Sequence, residues 1–122
     1  RKENFYHGIL LGLLSHREDW YIRSNVESGN KGILANAWHS DILVEIEEES
    51  IGIVIEVKYP DSIIKSQGDF SSYEILEKGC KDALEQIETK GYEEKLRQDG
   101  LETILKYGVA CNRKKCRVML KN

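Results

Sequence analysis

Positive charge is in short supply in this sequence: 18 Lys and Arg stand against 21 Asp and Glu, for a formal net charge of −3. That balance excludes a global field drawing the chain to nucleic acid, so any such contact must come from a local patch. Cysteine is scarce as well. Cys80, Cys111 and Cys116 are odd in number and match no paired-CxxC zinc spacing, which predicts free thiols in a reducing, cytoplasmic setting. Long apolar runs are missing: the stretch Ile9 to Leu14 is too short to cross a membrane and contains Gly12. With no signal peptide either, a soluble protein without membrane partners is expected. Internal repeats and low-complexity segments are absent.

What is present is enough for one domain. The 122 residues with 40% hydrophobic content can bury a core, and a single domain over residues 1–122 is expected. The chain begins at Arg1 rather than at methionine, which suggests a piece of a longer protein with partner domains out of view.

The stretch around which the rest is organised is Ile51 to Lys58. Five β-branched residues fall within the seven positions Ile51 to Val57, the pattern of a strand buried on both faces. Glu56 and Lys58 interrupt it. Residues two apart on a strand share a face, so this carboxylate and ammonium stand side by side at the strand end, where Pro60 stops the strand. Charge in a buried strand must be paired or used.

Lys2 to His16 reads as a helix whose apolar residues Phe5, Tyr6, Ile9, Leu10, Leu13 and Leu14 cover about half its circumference, predicting a largely buried helix. Glu3 lies in one row with His7, Leu10 and Leu14. It points toward the rim of the core, or it answers only to the positive end of the helix dipole. Trp20 to Asn25 reads as a first strand and Glu27 to Ser40 as a long Gly, Asn and Ser-rich loop. Asp41 to Glu47 alternates strictly, with Ile42, Val44 and Ile46 on one face and Asp41, Leu43 and Glu45 on the other. The charged turn Glu47 to Ser50 then joins it to the Ile51 strand as an antiparallel hairpin, which brings Asp41 close to Glu56.

Asp61 to Phe70 is a polar connection. Leu76, Cys80, Ala83, Leu84 and Ile87 mark the inner stripe of a helix reaching about Leu96, flanked by Gln86, with Gly100 ending the helical region. Ile104 to Cys111 and Cys116 to Leu120 read as two closing strands joined by the basic turn Asn112 to Lys115. The order is α-β-β-β-α-β-β, an α/β arrangement.

Glu3, Asp41, Glu56 and Lys58, with Gln86 nearby, are the inventory of a magnesium site. Mg2+ takes oxygen ligands, is held by one or two carboxylates, and leaves room for substrate phosphate. A lysine beside it can stabilise charge on that phosphate. A buried ion pair that binds nothing would use the same Glu-x-Lys pattern. Three carboxylates against one lysine would leave the metal-free site with unbalanced negative charge.

In this order the residues resemble the PD-(D/E)xK nuclease superfamily: Glu3 in a first helix, Asp41 before an apolar strand, Glu56-Val-Lys58 ending the next strand, and Gln86 in the following helix. More narrowly, Glu3-Asn-Phe-Tyr-His-Gly8 with Leu11-Gly-Leu-Leu14, Ser24-Asn25, Glu27-Ser-Gly29, Gln86-Ile87 with Tyr92, and Lys106-Tyr-Gly-Val-Ala110 resemble the C-terminal nuclease-like domain of bacterial AAA-ATPase-like proteins. The resemblance implies a restriction-endonuclease-like core, a central mixed sheet flanked by helices. It implies Mg2+, with Mn2+ as substitute, held by Asp41, Glu56 and the main-chain carbonyl of Val57, with Glu3 reaching the metal through water. Lys58 would be the catalytic lysine and Gln86 would position it. Two departures are visible: Ser40 precedes Asp41 where the family has proline, and Ile33 to His39 lengthens the link before the aspartate. Trp38 and His39 in that link could stack on a base or pack against their own domain.

Two functions follow. One is a Mg2+-dependent nuclease, acting on DNA ahead of RNA, working with an attached AAA-ATPase-like domain. The other is an inactive module of the same fold that binds nucleic acid or protein. The basic residues Arg113, Lys114, Lys115, Arg117 and Lys121 gather at one end, the local patch that either function could use.

Overall fold

The alternation from Asp41 and the β-branched run from Ile51 build the centre of a five-stranded sheet, with strand order β1-β2-β3-β4-β5. The computed structural model describes residues 2–29, 37–60, 72–112 and 115–121, with side chains for 8–24, 41–60, 73–112 and 115–121. Helix α1 (Lys2–Leu14) leads into β1 (Tyr21–Gly29), β2 (Ala37–Ile46) and β3 (Ile51–Tyr59). Helices α2 (Ser72–Lys90) and α3 (Tyr92–Gln98) follow, then β4 (Thr103–Asn112) and β5 (Lys115–Lys121). β1, β2 and β3 pair antiparallel in succession, β3 pairs parallel with β4, and β4 pairs antiparallel with β5. The sheet is therefore mixed, and the parallel pair is joined through the helices, as parallel strands require.

Each face of the sheet has its own cover. Leu43, Val54 and Ile104 on one face pack against Ile87 of α2, Leu96 of α3 and Leu101. On the opposite face Ile42, Val44 and Ile46 meet Leu10, Leu11 and Leu14 of α1, with Ile51, Ile53 and Ile55 beside them. Gly108 of β4 lets α2 approach closely, because a Cβ there would lie 2.4 Å from the Cys80 carbonyl oxygen. Lys106, only 5% exposed, donates to Glu88 at 2.9 Å and Glu93 at 2.6 Å. This ties both helices to β4. At the other end of the strands, Ser50 sits at φ 57° after a 3-10 turn over Glu47–Glu49. Its carbonyl accepts from the backbone N–H groups of Glu102 and Thr103 at 3.0 Å each, which binds the β2–β3 turn to the start of β4.

Several expectations need correction. The described part of α1, residues 8–14, is not largely buried: Leu10, Leu11 and Leu14 reach the sheet, whereas Ile9 and Leu13 are exposed. β3 is likewise not buried along the whole of both faces: opposite α2, Ile51, Ile53 and Ile55 are half-buried, whereas Val57 and Tyr59 are buried. The first strand runs on to Gly29 and the second starts at Ala37, so Glu27 to Gly29 and Ala37 to Ser40 belong to strands rather than to a loop. Ladder pairing from Glu27↔His39 to Gly29↔Ala37 carries residues of low strand propensity. Trp38 and His39 accordingly lie on β2. The helix expected to reach Leu96 is two helices, broken at Gly91, where φ is +70°. The rest of the expected loop, residues 30–36, and the expected connection Asp61 to Phe70 lie outside the described residues.

Candidate active site

Antiparallel register sets Asp41 directly opposite Glu56. Both side chains point to the face covered by α2, because Leu43 and Val54, two residues away from each, pack there. Both are buried, Asp41 at 2% exposure and Glu56 at 0%. Lys58 follows on the same face, and its Nζ donates a hydrogen bond to Oε1 of Gln86 on α2. Four of the expected site residues therefore come together, and Gln86 has a partner rather than being simply solvated. Val57, between Glu56 and Lys58, turns its side chain to the opposite face, among Tyr59, Val109 and Cys111.

Two further residues complete the cluster. Lys90 donates to Asp41 Oδ2 at 2.8 Å and Oδ1 at 3.0 Å, and lies 3.4 Å from Glu56 Oε1. Tyr92 Oη donates to Asp41 Oδ2. Residues two apart in a continuous helix point in widely different directions. The left-handed turn at Gly91 lets Lys90 and Tyr92 both reach Asp41. Neither was expected from the sequence: Tyr92 was singled out only as part of a motif, and the helix break that aims both residues carries no signal beyond one glycine in a helical pattern.

These contacts set the charge of the site. Burial pushes the Glu56 carboxyl up to about 9, helped by a hydrogen bond to Asp41 and by its negative charge. Burial also opposes ionisation of Asp41, but the hydrogen bonds from Glu56, Lys90 and Tyr92 outweigh it and hold the carboxyl below its usual range. Lys58 is lowered, chiefly by burial and then by the repulsion of Lys90 against the pull of Glu56. Within the described pair the negative charge is smaller than two free carboxylates would give: burial and Asp41 disfavour ionisation of Glu56, and Lys90 adds a second ammonium.

The donor set fits a hard divalent cation. With Glu56 deprotonated on binding, two adjoining carboxylates on a rigid sheet could supply oxygen ligands to such a cation. Among the described residues no group of three or more His, Cys, Asp or Glu side chains gathers, so the described acidic donors are Asp41 and Glu56. The side chain of Glu3 lies outside the described residues. The described part of α1 packs on the sheet face opposite this pair.

The basic end is less free than the sequence suggests. Arg117 lies 3.8 Å from Glu77 and stacks over Tyr73, and Lys121 lies 3.6 Å from Glu88. Arg113 and Lys114 fall outside the described residues. Cys80, Cys111 and Cys116 are free thiols. No helix among the described residues is long and apolar enough to cross a membrane.

No curated protein and no solved structure matches the chain. The family model of the PD-(D/E)XK nuclease superfamily matches residues 1–121. The five-stranded mixed sheet flanked by helices is compatible with a restriction-endonuclease-like α/β fold. With the match running over almost every residue, the chain belongs to the PD-(D/E)XK nuclease superfamily.

Proposed function

We propose that this chain is a Mg2+-dependent nuclease that hydrolyses phosphodiester bonds of nucleic acid. Members of the superfamily are typically metal-dependent nucleases. The observation that carries the reading here is Asp41 opposite Glu56 on adjacent strands, with Lys58 on the same face held by Gln86. Asp41, Glu56 and the Val57 carbonyl would hold the ion, and Glu3 would reach it through water. An ion held there would supply Lewis-acid polarisation of the phosphoryl oxygen and acidification of a water. Lys58 Nζ stabilises the negative charge that develops on the phosphate, and Gln86 keeps that nitrogen aimed. Asp41 is oriented by Tyr92, so its carboxylate does not have to find its rotamer when substrate arrives.

The finer terms rest on narrower support. DNA ahead of RNA, and an attached AAA-ATPase-like domain in a bacterial protein, rest on the motif resemblance from Glu3 to Ala110. A cytoplasmic location rests on the three free thiols. The test is cleavage of plasmid, single-stranded DNA and RNA with Mg2+, Mn2+ or chelator, comparing the wild type with Glu56→Gln. Metal-dependent products that vanish in the variant are expected.

A second reading keeps the fold without cleavage, as a module that binds nucleic acid or protein. The net charge of −3 and the paired Arg117 and Lys121 favour it. Binding of nucleic acid with no products under any metal would establish it.

A further inference from the structure

We propose that Lys90 is a tethered counter-cation that occupies the space between Asp41 and Glu56 and is exchanged for the divalent ion when the site loads. The inference rests on the metal-dependent reading above, and it assigns a part to a residue outside the acid pair, Lys58 and Gln86.

Geometry carries it. Lys90 Nζ contacts both oxygens of Asp41, at 2.8 and 3.0 Å, and is 3.4 Å from Glu56 Oε1. The Asp41 oxygens that Lys90 engages are among those the acid pair would offer to an ion. Ammonium and metal therefore compete for one place. Lys90 is the most accessible of the three: its side chain is 19% exposed, whereas Asp41 and Glu56 are at 2% and 0%. Its departure uncovers carboxylates that are otherwise shut in.

The surroundings suit an exchange better than a permanent ion pair. Lys90 is the last residue of α2, followed at once by Gly91 at φ +70°, so its side chain springs from a helix end rather than from a packed interior turn. Tyr92 Oη bonds Asp41 independently of Lys90, which keeps the carboxylate in place as the ammonium withdraws. The Tyr92 ring also lies 5.9 Å from the seated Nζ, at the range where cation–π attraction operates. Lys58, by contrast, donates to Gln86.

A ligand that must displace an internal competitor binds with an affinity reduced by the fraction of sites left open. Lys90→Met keeps an unbranched side chain one atom shorter and removes the charge, so Mn2+ measured by calorimetry should bind about tenfold more tightly than to wild type if the lysine closes roughly nine sites in ten. Lys90→Arg, which keeps the charge, should stay near wild type. A second readout uses the wild-type chain alone: acetylation of Lys90 by an amine-reactive ester, followed by mass spectrometry, should rise several-fold on adding Mn2+, with Lys95 as internal reference. If the wild type binds Mn2+ but Lys90→Met binds no more tightly, or Lys90 labelling stays flat, the exchange is overturned while the metal site stands. If neither folded protein binds Mn2+, the metal reading falls and the exchange falls with it.

Discussion

Glu56 and Asp41 face each other across the β2–β3 ladder, where burial and the neighbouring Asp41 push the Glu56 carboxyl up to about 9. A raised folded-state pKa contributes stability that is full below the ordinary value of 4.5 and is lost as pH climbs toward 9. Asp41 runs the other way: its lowered pKa contributes above the ordinary 3.8 and is lost as pH falls through the folded value. The metal-free protein should therefore be most stable in mild acid and melt progressively lower from about pH 5 to 9. Glu56→Gln keeps a donor for Asp41 and carries no titrating group. Its melting curve in chelator should lose most of that slope and lie above wild type at pH 8. Parallel pH profiles for the two proteins would refute the assignment.

Asp41→Asn bears on both roles of that residue. Considered alone, the three expected carboxylates suggest that removing one charge would leave the metal-free protein as stable or more so. Lys90 and Tyr92 reverse that expectation, because both bond the Asp41 carboxylate and an amide offers them only one acceptor atom. The variant should melt lower without metal, by about 1–3 kcal/mol for a buried charged hydrogen-bond acceptor lost, and should show no upward shift with Mn2+. The wild type should shift upward with Mn2+ concentration, as preferential binding to the folded state requires. Equal metal shifts in both proteins would remove Asp41 from the ligand set.

Gly108→Ala tests how the site is carried. The added Cβ would meet the Cys80 carbonyl oxygen at 2.4 Å and Leu84 Cγ at 2.9 Å. Helix α2 would have to retreat from β4, taking Gln86 from Lys58 and Lys90 from Asp41. Overpacking of this kind costs about 1–3 kcal/mol, so the melting temperature should fall by roughly 4 °C or more. Cleavage should fall at temperatures where the fold persists. A variant that melts and cleaves like wild type would mean that this close packing is not needed.

The site's acid pair was legible because strands write their geometry with period two. Alternation from Asp41 to Ile46 fixed one face, the turn after Ile46 fixed the hairpin, and Glu56 and Lys58 then fell on that same face. Gln86 stood out only through its place in a family pattern, since a glutamine at the edge of a helical stripe looks like a solvated one. Lys90 and Tyr92 were hidden for a different reason. Their convergence depends on the positive φ of Gly91, a backbone choice that a stripe running on from Ile87 to Leu96 conceals. α1 was misjudged because apolar residues around much of a helix do not say which stripe meets the sheet, and Ile9 and Leu13 turned outward.

The central claim is that the acid pair and Lys58 form a working phosphodiesterase site, and the most direct measurement is the single-turnover cleavage rate of plasmid DNA at saturating Mn2+ for wild type, Lys58→Ala and Gln86→Ala. Lys58 is half-buried and bonded to Gln86, so its removal should leave the melting temperature within a few degrees of wild type. The rate should drop by about 10²–10³, the usual effect of losing one group that stabilises transition-state charge. Gln86→Ala, which acts only by positioning that nitrogen, should cost about 10–100-fold, in line with other supporting partners of a site. Metal-dependent cleavage by Lys58→Ala at the wild-type rate would contradict the account.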